Sequence, residues 1–210
     1  MSNAMRHCNG NQICVIDTET TGLEAGWHEI VQLCILALDS NLVPRKDVTP
    51  FYINMKPYHP DRADPKALKT NGLKLAELAL SGHDPEKARD LLIEWVKKLK
   101  LPMTKWGTVK KIIPLGQNYA AFDKGHMQAW LGIPEYEDIF DFHCRDTMTT
   151  ALYLNDRAGM HAEKVPYPKV NLAYLASQLK ISHERGHDSL QDCIVTAKVY
   201  KRMVEQGVIC

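Results

Sequence analysis

The chain has 210 residues, of which 45% are hydrophobic and 24% are charged, and this composition is typical of one globular domain with a sizeable core. Its formal net charge of +1 argues against a protein that coats nucleic acid through a broad basic face, but it allows one that grips a strand end. No stretch approaches the roughly 20 consecutive apolar residues that a membrane span needs. We therefore expect no membrane partner and a cytoplasmic location.

The start of the chain indicates where the domain begins, and the cysteine pattern indicates whether disulfides form. Residues 1–4, with the sequence M-S-N-A, precede a second methionine and resemble a cloning remnant, so we expect a single domain over residues 5–210. The cysteines are scattered, form no C-x-x-C pair and lie mostly in apolar segments. We expect them to be reduced and buried. They are Cys8, Cys14, Cys34, Cys144, Cys193 and Cys210.

Apolar patterns along the chain predict an α/β fold. Three early segments predict neighbouring antiparallel strands, and the remainder alternates between helices and strands. Together they predict a mixed five-stranded sheet flanked by helices. The strands are expected at residues 13–17, 29–38, 51–55, 111–115 and 139–142, with a loop at 56–65. The helices are expected from residue 85, at 122–131, at 146–154, after Asn171 and at about 190–204.

Two acidic residues lie at the end of the first predicted strand, in the motif D-T-E-T-T-G at residues 17–22. Residues two apart on a strand point to the same side, so Asp17 and Glu19 would present two carboxylates together. Such a pair is unfavourable in a partly buried place unless a cation neutralises it, and oxygen ligands suit Mg²⁺ or Mn²⁺. An isolated D-x-E is more often an acidic turn, so this interpretation depends on the rest of the chain.

Two later motifs add residues of the same kind. N-Y-A-A-F-D at residues 118–123 places Asp123 near the start of a helix, and H-D-S-L-Q-D at 187–192 contains His187 and Asp192. Residues five apart on a helix point about 140° away from each other, so His187 is expected to precede the last helix, from whose first turns Asp192 projects. Each residue alone also has a structural explanation, such as interaction of Asp123 with the helix dipole.

The three motifs, in this order, resemble those of the DEDDh exonucleases, the DnaQ-like family, over about residues 12–205. The resemblance implies a ribonuclease H-like fold and a metal-dependent 3′→5′ exonuclease. Such an enzyme hydrolyses phosphodiester bonds at the 3′ end of single-stranded or frayed nucleic acid and releases nucleoside monophosphates. The chain departs from many relatives at Gln117, where histidine is common, and at Ser189, where alanine is common.

The resemblance also implies residue roles. The metal-binding acids would be Asp17, Glu19, Asp123 and Asp192, which would hold two Mg²⁺ or Mn²⁺ ions. His187 matches the general base, because a histidine with a pKa near 6.5 can accept the proton of the attacking water at neutral pH. The candidate contacts to the terminal nucleotide are Thr18, Thr21, Leu23 and Asn118.

The sequence leaves the substrate and partners open. A nucleic acid with a free 3′ end is the expected partner, the D-T-E-T-T-G form favours DNA, and a DNA polymerase or a second copy of the chain are further candidates. The alternatives are an RNA-trimming 3′→5′ exoribonuclease of the same family, a catalytically silent nucleic-acid-binding module, and an enzyme acting on another phosphodiester.

Residues 183–187 also match H-E-x-x-H, the pattern of zinc metalloproteases. This alternative is weaker, since Gly186 interrupts the motif and the preceding helix is expected to end near residue 181. His183 is therefore expected to matter little.

Overall fold

A computed structural model describes residues 10–184, 186 and 188–207 and centres on one mixed sheet. Its strands are β1 (Gln12–Thr20), β2 (Ile30–Ala37), β3 (Phe51–Asn54), β4 (Ile112–Gly116) and β5 (Arg145–Asp146). They lie in the order β3-β2-β1-β4-β5. β2 pairs antiparallel with both β1 and β3, whereas β4 pairs parallel with both β1 and β5. The predicted α/β fold with a mixed five-stranded sheet is confirmed.

The central strands are buried because helices cover both faces of the sheet. Every residue of β2 is buried, as expected of a strand packed on two sides. On β1, Cys14 and Ile16 face one core, while Ile13 and Val15 face another. The pairing of β1 with β2 shifts register between Glu19 and Thr20, at the end where the acidic motif lies.

Helices of two groups form these cores. The helices in the described part of the chain are α1 (Pro65–Asn71), α2 (Leu75–Ser81), α3 (Pro85–Lys98), α4 (Asp123–Leu131), α5 (Ile133–Ile139), α6 (Thr147–Met160), α7 (Leu172–Gln178) and α8 (Ser189–Gly207). α3, α4 and α5 pack on one face of the sheet. On the opposite face α8 packs against the strands, and α6 and α7 pack against α8. None of them is both long and apolar enough to cross a membrane.

Local signals explain where several helices begin. Asn171 caps α7 as expected, because its side-chain oxygen accepts the N–H of Tyr174 at 2.9 Å. Asp146 caps α6 in the same way, and Asp64 followed by Pro65 starts α1. α1 and α2 follow the predicted 56–65 loop and were missed by the apolar pattern, since each has only seven residues and one buried position.

The fifth strand was predicted at the wrong place. Residues 133–139 form α5, and the strand lies at Arg145–Asp146. Only Phe140 of the predicted segment makes a bridge to β4, through Ile112. The helix forms because Gly132, with φ of 82°, ends α4 and Pro134 lies in the first turn of α5. Tyr136 and Phe140, four residues apart, then face the core together.

The described cysteines agree with the expectation of reduced thiols. Cys14, Cys34 and Cys193 are free and buried, and Cys144 is free and half-buried. Cys8 and Cys210 lie outside the described residues, as does the predicted remnant at residues 1–4.

Candidate active site

β1 and α8 bring three carboxylates together. Asp17 and Glu19 continue the face of β1 that packs on α8, and Asp192 lies in the first turn of that helix. One oxygen from each of the three side chains lies within 4.8 Å of the others. Apolar packing between Val15 and Cys193 holds the strand and the helix in this position. The structure thus juxtaposes residues that are 175 positions apart in the sequence.

Burial and mutual repulsion perturb these acids. Burial raises the pKa of Asp17 well above its usual value, and the charges of Asp123, Asp192 and Glu19 raise it further. Burial, followed by the charge of Asp192, raises the pKa of Glu19 to about 8. A cation would relieve both effects, because it supplies the opposite charge that the cluster lacks. Three convergent carboxylates are also the oxygen donor set that hard divalent cations bind. The cluster therefore fits a divalent metal ion.

Asp123 reaches the same region from the start of α4. Its side chain is 3% exposed, and its Oδ1 accepts the backbone N–H of Thr18 at 3.0 Å and the Thr18 hydroxyl at 2.7 Å. Burial raises its pKa to about 7, although the bonds from Thr18 oppose that shift. Asp123 lies outside the group of three oxygens, yet its charge raises the pKa of Asp17. It is thus an acid at the border of the cluster.

The four expected substrate contacts are placed differently from one another. Thr18 is buried and bonded to Asp123, and Thr21 is fully buried, with its hydroxyl accepting the N–H of Glu29 at 2.9 Å. Asn118 is half-buried in a left-handed turn, with φ of 63°. Leu23 is 78% exposed. Leu23 is thus an exposed side chain that a ligand can touch, whereas the two threonines hold neighbouring protein groups.

The T-T-G-L segment is residues 20–23, and the position of Gly22 leaves no room for a side chain beside His28. A Cβ on Gly22 would lie 2.3 Å from the ring of His28, a distance that no side chain tolerates. Gly22 also accepts the hydroxyl of Thr20 at 2.6 Å through its carbonyl. The segment that carries Leu23 is therefore packed tightly against the protein on one side.

The structure places His183 in contact with the acidic cluster, which the sequence did not suggest. Its Nε2 lies 2.5 Å from Oδ1 of Asp192, and both side chains are 11% exposed. The expectation that His183 matters little stays a prediction. Its contact with Asp192 has no sequence signal, because a separation of nine residues across the start of a helix follows no structural period. The proposed base, His187, lies outside the described residues.

The zinc metalloprotease alternative is contradicted. It needs a helix that presents both histidines, but α7 ends at Gln178, and neither His183 nor Glu184 is helical. The oxygen that His183 contacts belongs to the acidic cluster, so its ring nitrogen already has a partner there.

Comparison with known families decides the class of this site. The RNase_T family model, described as Exonuclease, matches residues 14–200. The chain belongs to this exonuclease family. The predicted resemblance to the DnaQ-like exonucleases is confirmed. No curated protein matches the chain significantly.

Solved exonucleases share the fold of this exonuclease domain. The zinc-bound complex of E. coli exonuclease I with single-stranded DNA has a TM-score of 0.71 and 19% identity, over 93% of this chain and 41% of that one. Cell-death related nuclease 4 has a TM-score of 0.68 and 16% identity, over 94% and 64%. Exonuclease I from Methylocaldum szegediense has a TM-score of 0.68 and 19% identity, over 93% and 41%. The exonuclease domain spans less than half the length of the exonuclease I chains.

Side chains of strands β2 and β3 fix the position of the start of α8 in the exonuclease domain through hydrogen bonds. Gln32 accepts the backbone N–H of Ser189 at 3.0 Å and donates to Asn54 at 2.9 Å. Asp188 caps the helix by accepting the N–H of Leu190 at 3.1 Å, and it hydrogen-bonds to the phenol of Tyr52. The sheet therefore sets the position of the helix turn that carries Asp192.

Asp146 plays a similar part for the other acidic element, and sequence reasoning assigned it no role. One of its oxygens accepts the N–H of Tyr119 at 2.6 Å, while the other caps α6 through the N–H of Met148. Tyr119 is fully buried and hydrogen-bonds to Tyr136. These contacts fix the turn between β4 and α4, from which Asp123 extends.

Proposed function

We propose that this chain is a divalent-metal-dependent 3′→5′ exonuclease that hydrolyses the terminal phosphodiester bond of single-stranded or frayed nucleic acid and releases nucleoside monophosphates. The observation that carries the proposal is the convergence of Asp17, Glu19 and Asp192 in a chain of the exonuclease family. Burial of a like-charged cluster is unfavourable in a protein with no use for a cation.

The acids are assigned to two metal ions in this proposal. Asp17, Glu19 and Asp192 would hold Mg²⁺ or Mn²⁺, and Asp123 would complete the set for a second ion. Two such ions would polarise the scissile phosphate and stabilise the charge that develops during in-line displacement.

Other residues of the chain accept the proton of the attacking water, orient a metal ligand and contact the substrate. His187 accepts the proton of the attacking water, as a group with an ordinary pKa near 6.5 can at neutral pH. His183 orients the carboxylate of Asp192. Leu23 packs against the terminal nucleotide from the exposed side of its segment.

DNA is the substrate that we favour. E. coli exonuclease I, whose fold this chain shares, has been solved with single-stranded DNA and with dT13 and dA16 oligonucleotides. RNA is the second candidate, because discrimination depends on contacts to the 2′-hydroxyl. Three further points stay predictions. They are binding to a DNA polymerase, pairing with a second copy of the chain, and a cytoplasmic location.

The test is digestion of a strand labelled at its 5′ end, as matched DNA and RNA, with Mg²⁺ or with a chelator. We expect a ladder that shortens one nucleotide at a time, only with metal, and loss of activity in Asp17→Asn and Asp192→Asn. Asp156→Asn, on the exposed side of α6, is the control and should cleave normally. Cuts in a circular strand, equal digestion of a 3′-blocked strand, or normal turnover in folded Asp17→Asn would refute the proposal.

A further inference from the structure

A cavity of about 410 Å³ lies on the face of the sheet opposite α8, away from the carboxylate cluster. Its walls come from the start of α3, from the middle and end of α4, and from residues 26–30 and 56–62. The volume lies in the range of small-ligand sites, which is roughly 300–1,000 Å³. None of Asp17, Glu19, Asp123 or Asp192 lines it.

Aromatic rings form much of the wall. Trp27 is 49% exposed and Tyr58 is 53% exposed, and Trp130 contributes a third ring. The guanidinium of Arg62 lies 4.3 Å from the centre of the Trp27 ring. Exposed aromatic rings beside arginine are the combination on which proteins stack the bases of single strands.

The charged side chains that line the cavity are Glu29, Lys56, Arg62, Glu86 and Arg89, and Glu86 hydrogen-bonds to the phenol of Tyr58. The two oxygens of Glu29 accept the N–H groups of Tyr58 and His59, at 3.1 Å and 2.9 Å. Lys56 pairs with Asp84 at 3.3 Å, and Arg89 pairs with Glu135. Arg62 has no carboxylate partner among the described residues, so its charge is available to an anion.

His28 lines the same cavity as Arg62 and adds a hydrogen-bond donor. Its Nδ1 accepts the backbone N–H of Glu24 at 3.1 Å, and an imidazole whose Nδ1 is an acceptor carries its proton on Nε2. His28 and Arg62 both line the cavity. A phosphate could therefore find a charge and a donor next to the ring on which its base stacks.

The cavity wall is bonded to the segment that carries Leu23. Thr21 donates its N–H to the carbonyl of Glu29 at 2.8 Å, and the buried ring of His126, which lines the cavity, lies 3.3 Å from the carbonyl of Gly22. A ligand in the cavity thus contacts residues that are hydrogen-bonded to the T-T-G-L segment.

We propose that this cavity is a second nucleotide-binding site, in which a base stacks on Trp27 and its phosphate binds Arg62 and His28. The inference rests on the proposed function, since its ligand is a unit of that substrate or that product. The nucleotide is either a free nucleoside monophosphate or an internal nucleotide of the bound strand.

The test measures binding in EDTA, where cleavage is off. The probes are dAMP, followed by isothermal titration calorimetry, and fluorescent oligo-dT of two to sixteen nucleotides, followed by anisotropy. We expect Trp27→Ala and Arg62→Gln to weaken binding about tenfold or more, and Trp27→Phe to keep most of it. Loss for dAMP identifies a free mononucleotide, whereas loss only for the longer strands identifies an internal nucleotide.

A matched control lies elsewhere on the surface. Trp106 is 79% exposed with the Lys105 ammonium 4.7 Å from its ring centre, but it does not line the cavity. Trp106→Ala should bind both probes normally. Wild-type binding by Trp27→Ala and Arg62→Gln, or an equal loss in Trp106→Ala, would overturn the inference. Failure of the proposed function would appear separately, as absent Mg²⁺-dependent cleavage by wild type with these binding differences intact.

Discussion

At the scale of single residues, the carboxyl groups of the acidic cluster have raised pKa values. Burial, reinforced by neighbouring carboxylates, raises the pKa of Asp17 and of Glu19, and burial raises the pKa of Asp123. Near neutral pH, part of the cluster is therefore protonated in the absence of a cation. A metal ion must displace those protons to bind, so metal affinity and pH are linked.

Glu19 carries a prediction about stability and pH. Its folded pKa of about 8 lies above the ordinary 4.5, so its favourable contribution is complete below about 4.5 and is lost as pH rises through 8. In EDTA, the melting temperature of Glu19→Gln relative to wild type should therefore rise between pH 6 and pH 9, because glutamine stays neutral. Thermal unfolding across this range measures the difference.

Two further measurements test the prediction for Glu19, namely stabilisation by Mg²⁺ and the pH profile of a surface control variant. Mg²⁺ should stabilise wild type at pH 9 more than Glu19→Gln, which lacks one carboxylate of the cluster. Glu94→Gln, on the exposed side of α3, should follow the wild-type pH profile, because the bond from Lys97 lowers the pKa of Glu94 below this range. Parallel profiles for wild type and Glu19→Gln would show that Glu19 is not perturbed.

At the scale of elements, the site depends on how α8 begins. The connection from α7 brings His183 onto Asp192, while Gln32 on β2 holds the backbone of Ser189. Asp188 caps the helix between these two contacts. The first turn of α8 is therefore fixed by side chains from a loop and from the sheet. Substitutions in that loop or at Gln32 can displace the carboxylate of Asp192, which this turn carries.

The contact from His183 to Asp192 leads to a prediction about metal binding. Removing a hydrogen bond to a metal-ligating group typically costs about 10- to 100-fold in metal affinity. We expect His183→Ala to weaken Mn²⁺ binding by roughly tenfold or more, and His183→Gln, which keeps an N–H donor, to weaken it less. Isothermal titration with Mn²⁺ measures the affinity of each variant.

A second histidine–aspartate pair provides the control for that experiment. His143 lies 2.8 Å from Asp141 through its Nδ1, and its side chain is 63% exposed at the surface. His143→Ala should bind Mn²⁺ as wild type does. Unchanged affinity in His183→Ala would return this residue to the minor role expected from the sequence, and tighter binding would mean that its ring blocks Asp192.

At the scale of the whole molecule, charge limits how the domain holds a strand. The net charge is +1, and the chain spans 41% of exonuclease I from E. coli. A domain with so little excess positive charge can neutralise only a few phosphates, and each neutralised phosphate of a single strand contributes about −0.7 to the slope of log affinity against log salt.

The salt dependence of strand binding is therefore expected to be shallow. We expect a slope no steeper than about −2 for oligo-dT in EDTA between 50 and 300 mM KCl, as for three phosphate contacts or fewer. Fluorescence anisotropy at several salt concentrations measures this slope. A slope near −5 would mean that many phosphates are neutralised together, and the argument from net charge against a broad basic face would be wrong.

The sequence alone determined the class of fold and the candidate acids. A short, continuous apolar run predicts the first strand, and Asp17 and Glu19 lie on one side of it whatever packs there, because side-chain alternation is a local property of β structure. The helix from residue 85 and the cap at Asn171 are local in the same sense. The seven-residue α5 was missed, because a short apolar run fits a strand or a helix equally well until its packing partner is known.

Only the tertiary structure decided which groups meet. The hydrogen bond from Thr18 to Asp123 spans 105 positions, and that from Ser189 to Gln32 spans 157. Neither pairing has a sequence signature, because the distance between residues far apart in the chain is set by how sheet and helices pack. The same holds for the contact of His183 with Asp192 and for the raised pKa of Glu19, which requires burial together with the charges of three other carboxylates.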